Sequence, residues 1–391
     1  MPASAIPLPL ALLIVFGAAK LLAEIFERLR LPAIAGEILA GALVGPSVLG
    51  WISPNDTLKA LADLGVIFLL FDVGLQVKTR QLLSIGGTAA VVALTGVVVS
   101  FSLGWGILLL FGVPRAEALF IGVSMVSTSV GITASALAAK GWLQQTAAGV
   151  ILAAAVIDDT IGLIALAVLS STSRGHLNVI EIALSAALPA LFTVVLALWG
   201  PAAVNRILPG LRLGGGSRAK AEEAEFHIAL VLLFAFSALA FYTGVAAIVG
   251  AFLAGMAMSE AAGDRVRDLT RGVSELLVPF FLVGIGLQLD FAALRSGFGL
   301  AVLILTAAVL GKVLGCGLGA IRLGWSNMLK VGVGMIPRGE VSIVAAQLGL
   351  GLGVVSKQSF GVIVFMAMAS ALITPLLVNR AFREPTPAEQ P

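Results

Sequence analysis

The sequence predicts an all-α polytopic membrane protein of about thirteen transmembrane helices. Two inverted-topology repeats of six helices are expected, joined by a linking helix, with two broken helices that cross. Three observations point to this: apolar residues dominate, apolar runs alternate with charged or Pro/Gly-rich breaks, and motifs of the first half recur in order in the second.

Hydrophobic residues make up 59% of the 391 and charged residues only 12%, about half the charged share of a soluble domain. The formal charge of +3 fits a basic bias in cytoplasmic loops and gives no footprint for nucleic acid. Cys316 stands alone, which excludes a disulfide framework and an all-cysteine metal site. His176 and His227 sit near segment ends and have no zinc or haem spacing around them, so both read as interfacial residues and no cofactor is expected. The N-terminus lacks the basic region and small-residue cleavage site of a signal peptide, so Leu8 onward reads as the first span.

About 20 apolar residues at 1.5 Å rise cross a bilayer core. Spans are expected near residues 7–27, 32–50, 58–77, 83–111, 116–139, 146–170, 177–204, 226–243, 245–260, 273–290, 298–321, 327–350 and 357–379. The second, fifth, ninth and twelfth are short or interrupted by glycine, and 209–225 is the one long polar linker. Of the 24 Lys and Arg, sixteen lie in loops after odd-numbered spans and five on the other side. That asymmetry puts the N-terminus outside and the C-terminus in the cytoplasm, as an odd span count requires.

The repeat is visible in three places. GEILAG at 36–41 resembles GAFLAG at 250–255, VGLQV at 73–77 resembles IGLQL at 285–289, and GVSMVSTSVGIT at 122–133 aligns with GVGMIPRGEVSI at 332–343. Similar offsets in the same order, across an odd linking span, describe an inverted repeat, in which substrate sites lie at the midplane on discontinuous helices. The matching interruptions are Ser127–Gly131 in the fifth span and Pro337–Glu340 in the twelfth.

The chemistry concentrates in the sixth span, TAAGVILAAAVIDDTIGLIALAVLS, where Asp158 and Asp159 stand side by side near the middle. An acid at that depth is costly unless it faces a cavity or a partner. Adjacent residues on a helix diverge by about 100°, so one acid can line an ion pathway while the other meets a neighbouring span. Lys312, mid-span in the second half, is the evident counter-charge, since a buried lysine is stable only if paired or neutral. Ser127, Thr128 and Ser129 add hydroxyl and backbone oxygens suited to a hard cation. Arg338 and Glu340, at the companion break, can either bind ions or offset the charges of half-helix ends. Glu37, Asp72 and Lys20 are further charges of undecided role; Lys20 reads as snorkelling toward the cytoplasmic end of its helix.

AAAVIDDTIGL, the membrane Lys312, STSVGIT and GMIPRGEVSIV together resemble bacterial sodium/proton antiporters of the second branch of the cation:proton antiporter superfamily, the Kef/Nap-like membrane domain. LPAIAGEILAGALVGPSVLG and FLLFDVGLQV resemble the second and third spans of that branch. The resemblance implies a homodimer working by alternating access through an elevator-like core movement. Its scaffold and dimerisation domain would be residues 1–81 and 225–296, its ion-transporting core 82–174 and 297–382, with a linking helix and cytoplasmic linker at 175–224 and a tail at 383–391. It assigns Asp159 as the principal cation and proton carrier and pairs Asp158 with Lys312, so Asp158 and Asp159 would hold Na+ with Thr128 and Ser129 beside them. Two carboxylates with a lysine imply electrogenic exchange, two protons per sodium.

Two features depart from relatives of the potassium-efflux type. No nucleotide-binding regulatory domain follows in the 391 residues, and Asp158 stands where those relatives usually have a non-acidic residue; both favour Na+ or Li+ over K+. Asp72 replaces the usual apolar residue of LLFxVGL. An intramembrane aspartyl protease would need its two acids on different helices, and a channel would need a continuous pore or filter, so the expected protein is an antiporter of the cytoplasmic membrane and not an enzyme. A K+/H+ antiporter is the alternative.

Overall fold

In a computed structural model, the described residues are 6–29, 31–77, 79–173, 179–212, 218–243, 246–288 and 298–383. Among them are fifteen α-helices and no strand. They are α1 (Leu8–Arg28), α2 (Ala33–Val44), α3 (Asp56–Gln76), α4 (Thr79–Leu110), α5 (Arg115–Ser124), α6 (Val130–Ala138), α7 (Thr146–Ser173), α8 (Val179–Arg212), α9 (Arg218–Tyr242), α10 (Ala247–Met258), α11 (Asp264–Leu287), α12 (Phe298–Gly319), α13 (Trp325–Gly334), α14 (Glu340–Gly351) and α15 (Lys357–Phe382).

Among the described residues eight helices are long and apolar enough to cross a membrane: α1, α4, α7, α8, α9, α11, α12 and α15. Large apolar side chains lie outermost, including Leu13, Leu21, Leu110 and Phe241, an arrangement that hydrocarbon tolerates and water penalises. The expected second and ninth spans form only 12-residue helices, α2 and α10, about 18 Å long. The fifth and twelfth are each split in two, as α5 with α6 and α13 with α14.

Helix and apolar run differ in extent elsewhere. α9 and α11 begin eight or nine residues before the expected starts at 226 and 273, because charged residues end a hydrophobic run without ending a helix. For the same reason most of the expected linker 209–225 is helical, and only 213–217 of it lies outside the described residues. His176 also lies outside them; His227 is exposed near the polar end of α9.

Two sets of helices pack around the site. α3 lies between α10 and α11, with α2 on α11 and α1 on α2; α4 runs along α12 and touches α7, and α15 contacts α12, α13 and α14. Glycine brings the first set together at two crossings. At the α2–α11 crossing a Cβ on Gly41 would lie 2.9 Å from Gly286 Cα, and one on Gly286 would lie 2.6 Å from Ala42 N. At the α3–α10 crossing a Cβ on Gly74 or on Gly255 would lie 3.0 Å from the other's Cα. Backbone cannot yield to such contacts, so Gly286→Ala or Gly255→Ala is expected to lower the melting temperature of the purified protein by several degrees. Gly86→Ala, which meets nothing within 4 Å, should be neutral or stabilising by about 0.5–1 kcal/mol. Equal melting of the crossing variants and wild type would refute the close approach.

Polar groups tie the helix ends. Asn55 caps α3 by accepting from Leu58 N at 2.9 Å. Glu225 of α9 accepts from Gly263 N at 2.7 Å, capping α11. Arg267 of α11 donates to Leu75 O at 2.6 Å and Ser259 O at 2.5 Å, serving the carbonyl ends of α3 and α10 together.

Candidate cation site at the crossing of two broken helices

Each break has a local cause. In the fifth span α5 ends at Ser124, and Ser127-Thr128-Ser129 offers hydroxyls that compete with helical backbone bonding. In the twelfth, α13 ends at Gly334; Pro337 lacks an N–H and Gly339 follows before α14 starts. The opened backbones then serve each other. Ser129 N–H donates to Pro337 O at 2.7 Å, and Thr133 Oγ1 donates to Gly334 O at 2.7 Å.

α7 passes this junction with both acids buried, Asp158 at 0% exposure and Asp159 at 6%. Asp158 Oδ2 is held by Lys312 Nζ of α12, itself 0% exposed, and by Thr128 Oγ1 at 2.6 Å. Thr128 Oγ1 is also 3.3 Å from Met335 O, so its one proton serves either acceptor. Asp159 Oδ1 accepts from Ser127 Oγ. The 100° divergence of the two acids is thus resolved by neighbouring hydroxyls on one non-helical stretch of chain. Asp158 Oδ1 is buried and has no hydrogen-bond partner among the described residues, an oxygen with both lone pairs open to a cation or proton.

Arg338 is 1% exposed and spends its guanidinium on backbone. Nη1 lies 3.5 Å from Val126 O and 3.3 Å from Ser127 O, and Nη2 donates to Ala308 O at 2.8 Å. The carbonyls of Val126 and Ser127 follow the C-terminal, negative end of α5, so of the two uses open to Arg338 the geometry is that of charge compensation. Its own N–H donates to Ser370 Oγ at 3.0 Å. Arg338→Gln would leave those carbonyls short of donors, and an apparent destabilisation of about 1–3 kcal/mol is expected by thermal melting; an unchanged midpoint would count against this role. The Glu340 side chain lies outside the described residues, and only its backbone, opening α14, is placed.

Sequence reasoning named Thr128 and Ser129 beside the acids. The structure brings Thr128 there, while Ser129 is half-buried and packs on Gly339, whose Cβ would lie 3.3 Å from Ser129 Oγ. Ser127 is the hydroxyl that meets Asp159. The available signal was Gly162, one turn beyond Asp158, where a Cβ would come within 3.3 Å of Ser127 Cβ. The other charges lie apart from the site. Lys20 does not simply snorkel: its Nζ is 2.9 Å from Glu37 Oε1. Asp72 accepts from Gln76 Nε2 at 3.1 Å, with Arg271 and Arg267 the nearby positive charges.

Where the two helix sets face each other, a cleft is lined by Glu27 and Ile34 on one side and by Ala136, Lys140 and Asn379 on the other.

Comparison with known proteins agrees with this architecture. The family described as "Sodium/hydrogen exchanger, transmembrane" matches residues 11–383. The chain is 30% identical to the high-affinity Na+/H+ antiporter NhaS3 of Synechocystis sp., over 98% of this chain and 91% of that protein. It is also 30% identical to the Na+/H+-K+ antiporter GerN of Bacillus cereus, over 93% of each. Its fold is similar to the solved sodium proton antiporter MjNhaP1 of Methanocaldococcus jannaschii, at a TM-score of 0.69 and 16% identity, covering 97% of this chain and 100% of that one. A match from residue 11 to residue 383 spans both broken helices, the paired acids and Lys312 alike, and the chain belongs to the sodium/hydrogen exchanger family of the cation:proton antiporter superfamily.

Proposed function

We propose that the protein exchanges Na+, or Li+, for H+ across the cytoplasmic membrane by alternating access, with Asp159 as the cation and proton site. One observation carries the reading. Two buried carboxylates, two hydroxyls and a lysine converge from three distant segments on the junction of two helix breaks. Hard oxygens in that number suit a small cation, and protonating the carboxylates removes the charge that attracts it. Cation and protons therefore compete for the same oxygens, and a site that holds only one at a time exchanges them. Asp158 shares its carboxylate with Lys312, so a cation drawing on Asp158 displaces an ammonium. Two protons returning for each sodium carry one net charge.

The thirteen-span inverted repeat belongs to this proposal and has support in the glycine crossings. The sequence offsets relate Gly41 to Gly255 and Gly74 to Gly286. They thereby exchange the α2–α11 crossing at Gly41 and Gly286 with the α3–α10 crossing at Gly255 and Gly74. Residues 1–81 and 225–296 would be the scaffold that dimerises, and 82–174 and 297–382 the moving core, with the cleft beside Glu27 and Lys140 on their seam. The N-terminus lies outside and the C-terminus in the cytoplasm.

Proton flux into proteoliposomes on adding sodium, lithium or potassium chloride tests the reading. Flux driven by sodium or lithium is expected. Potassium alone would move the protein to the K+/H+ class, and no cation response would overturn antiport. With the response in hand, absence of transported charge under a clamped potential would overturn the two-proton stoichiometry.

A further inference from the structure

Displacing Lys312 from Asp158 raises the question of where a buried ammonium goes. α4 and α12 run antiparallel in close contact, with Gly96 beside Gly315 and Ser100 beside Gly311. A Cβ on Gly315 would lie 3.0 Å from Gly96 Cα, and one on Gly311 would lie 3.0 Å from Ser100 Oγ. Lys312 Nζ rests at the level of Gly96, 3.8 Å from where a Cβ would stand there. Ser100 is one turn of α4 away, about 6 Å along the helix, within the sweep of a four-carbon lysine stem.

Ser100 is 0% exposed, and its Oγ has no hydrogen-bond partner among the described residues. A helical serine ordinarily spends its hydroxyl on the carbonyl one turn back, as Thr95 does on Val91 O at 2.8 Å. Leaving a buried hydroxyl unpaired is destabilising, so the fold carries at this point an acceptor its resting state does not use. Cys316, one turn beyond Lys312 on α12, packs on Gly96, and a thiol is a poor acceptor. Around Lys312, Ser100 is thus the unspent oxygen on the opposing helix.

We propose that the Ser100 hydroxyl is the second station of Lys312, accepting its ammonium while a cation occupies the Asp158–Asp159 carboxylates. The Arg338 guanidinium, on Ala308 O one turn away on α12, places a like charge near the station. It favours return of Lys312 to Asp158 once the cation leaves. Ser100 is a positioning residue here, acting through Lys312, and the inference rests on the antiport reading above.

The test is the sodium dependence of proton flux for wild type, Ser100→Ala and Ser100→Cys, with melting temperatures alongside. Removing an acceptor used only in the cation-bound state should raise the apparent KM for sodium about tenfold, the equivalent of one charge-assisted hydrogen bond of ~1.4 kcal/mol. The maximal rate should hold, and Ser100→Ala should melt no lower than wild type, since its hydroxyl is unpaired at rest. Ser100→Cys should fall between the two. In a Lys312→Gln background, adding Ser100→Ala should leave sodium-induced thermal stabilisation unchanged. A KM within twofold of wild type in folded Ser100→Ala overturns the station, as does a loss of sodium-induced thermal stabilisation when Ser100→Ala is added to the Lys312→Gln background. Failure of both serine variants to fold also overturns it, because the hydroxyl would then be needed at rest. Loss of the cation response in wild type would instead defeat the antiport reading itself.

Discussion

Asp159→Asn is expected to reduce sodium- and lithium-driven proton flux in proteoliposomes to the level of protein-free vesicles. Asparagine keeps the shape and can still accept from Ser127 Oγ, the partner of Asp159 Oδ1, so the fold should survive. What disappears is the charge. A neutral amide has neither the proton to exchange nor the attraction that strips water from a small cation at a 6% exposed position. The variant should therefore melt within a few degrees of wild type while losing sodium-induced stabilisation, which grows as RT ln(1 + [L]/Kd) when a ligand binds only the folded state. Full ion-coupled flux in Asp159→Asn would remove Asp159 from the site and return the role to Asp158.

Lys312→Ala and Asp158→Asn should each destabilise the protein by about 3–5 kcal/mol, the cost of leaving one member of a fully buried ion pair uncompensated. Both side chains are 0% exposed and in direct contact. Replacing both by apolar residues of similar size, Asp158→Leu with Lys312→Met, should recover most of that loss, since a buried pair often does no more than break even against hydrophobic packing. The recovered protein should fold without transporting two protons per sodium. Melting in detergent and charge moved under a clamped potential are the readouts. Unchanged melting and unchanged transported charge in both single variants would mean that the contact is incidental. A double variant no more stable than the singles would mean that the site needs the pair for reasons beyond its charge.

The two predictions draw on parts of the site that were legible to different degrees. Asp158, Asp159 and Lys312 stand out because a charge in an apolar run is rare and costly, a property readable one residue at a time. The breaks were legible for a similar reason: Pro337 with Gly339 two residues on, and a run of three hydroxyl residues at 127–129, each weaken a helix locally. Which hydroxyl of Ser127-Thr128-Ser129 would meet which acid was not legible. The run is non-helical, and the choice depends on how α7 is turned against it, which Gly162 permits. The sequence leaves Arg338 open between ion binding and compensation; the carbonyls of Val126, Ser127 and Ala308 around its guanidinium favour compensation. Ser100 carries no mark in the sequence, because an unpaired hydroxyl is a statement about neighbours.

Helix extents divide the same way. Hydropathy marked where apolar chain lies, and the helices of α9 and α11 continue past it into charged sequence. Hydropathy also merged α5 with α6 and α13 with α14 into single spans.

By itself the sequence determined the class of protein, the apolar segments, the two interruptions and the residue types able to handle a cation, since each is a local sum over neighbouring side chains. Only the tertiary structure decided that Glu37 takes Lys20 and that Ser127 takes Asp159, whereas the pairing of Lys312 with Asp158, 154 positions apart in the chain, was already implied by the resemblance. Such pairings depend on the rotation and translation of packed helices. A turn of 100° or a rise of 1.5 Å, one residue's worth, redirects a side chain from its partner to lipid, and no local property of the chain specifies it.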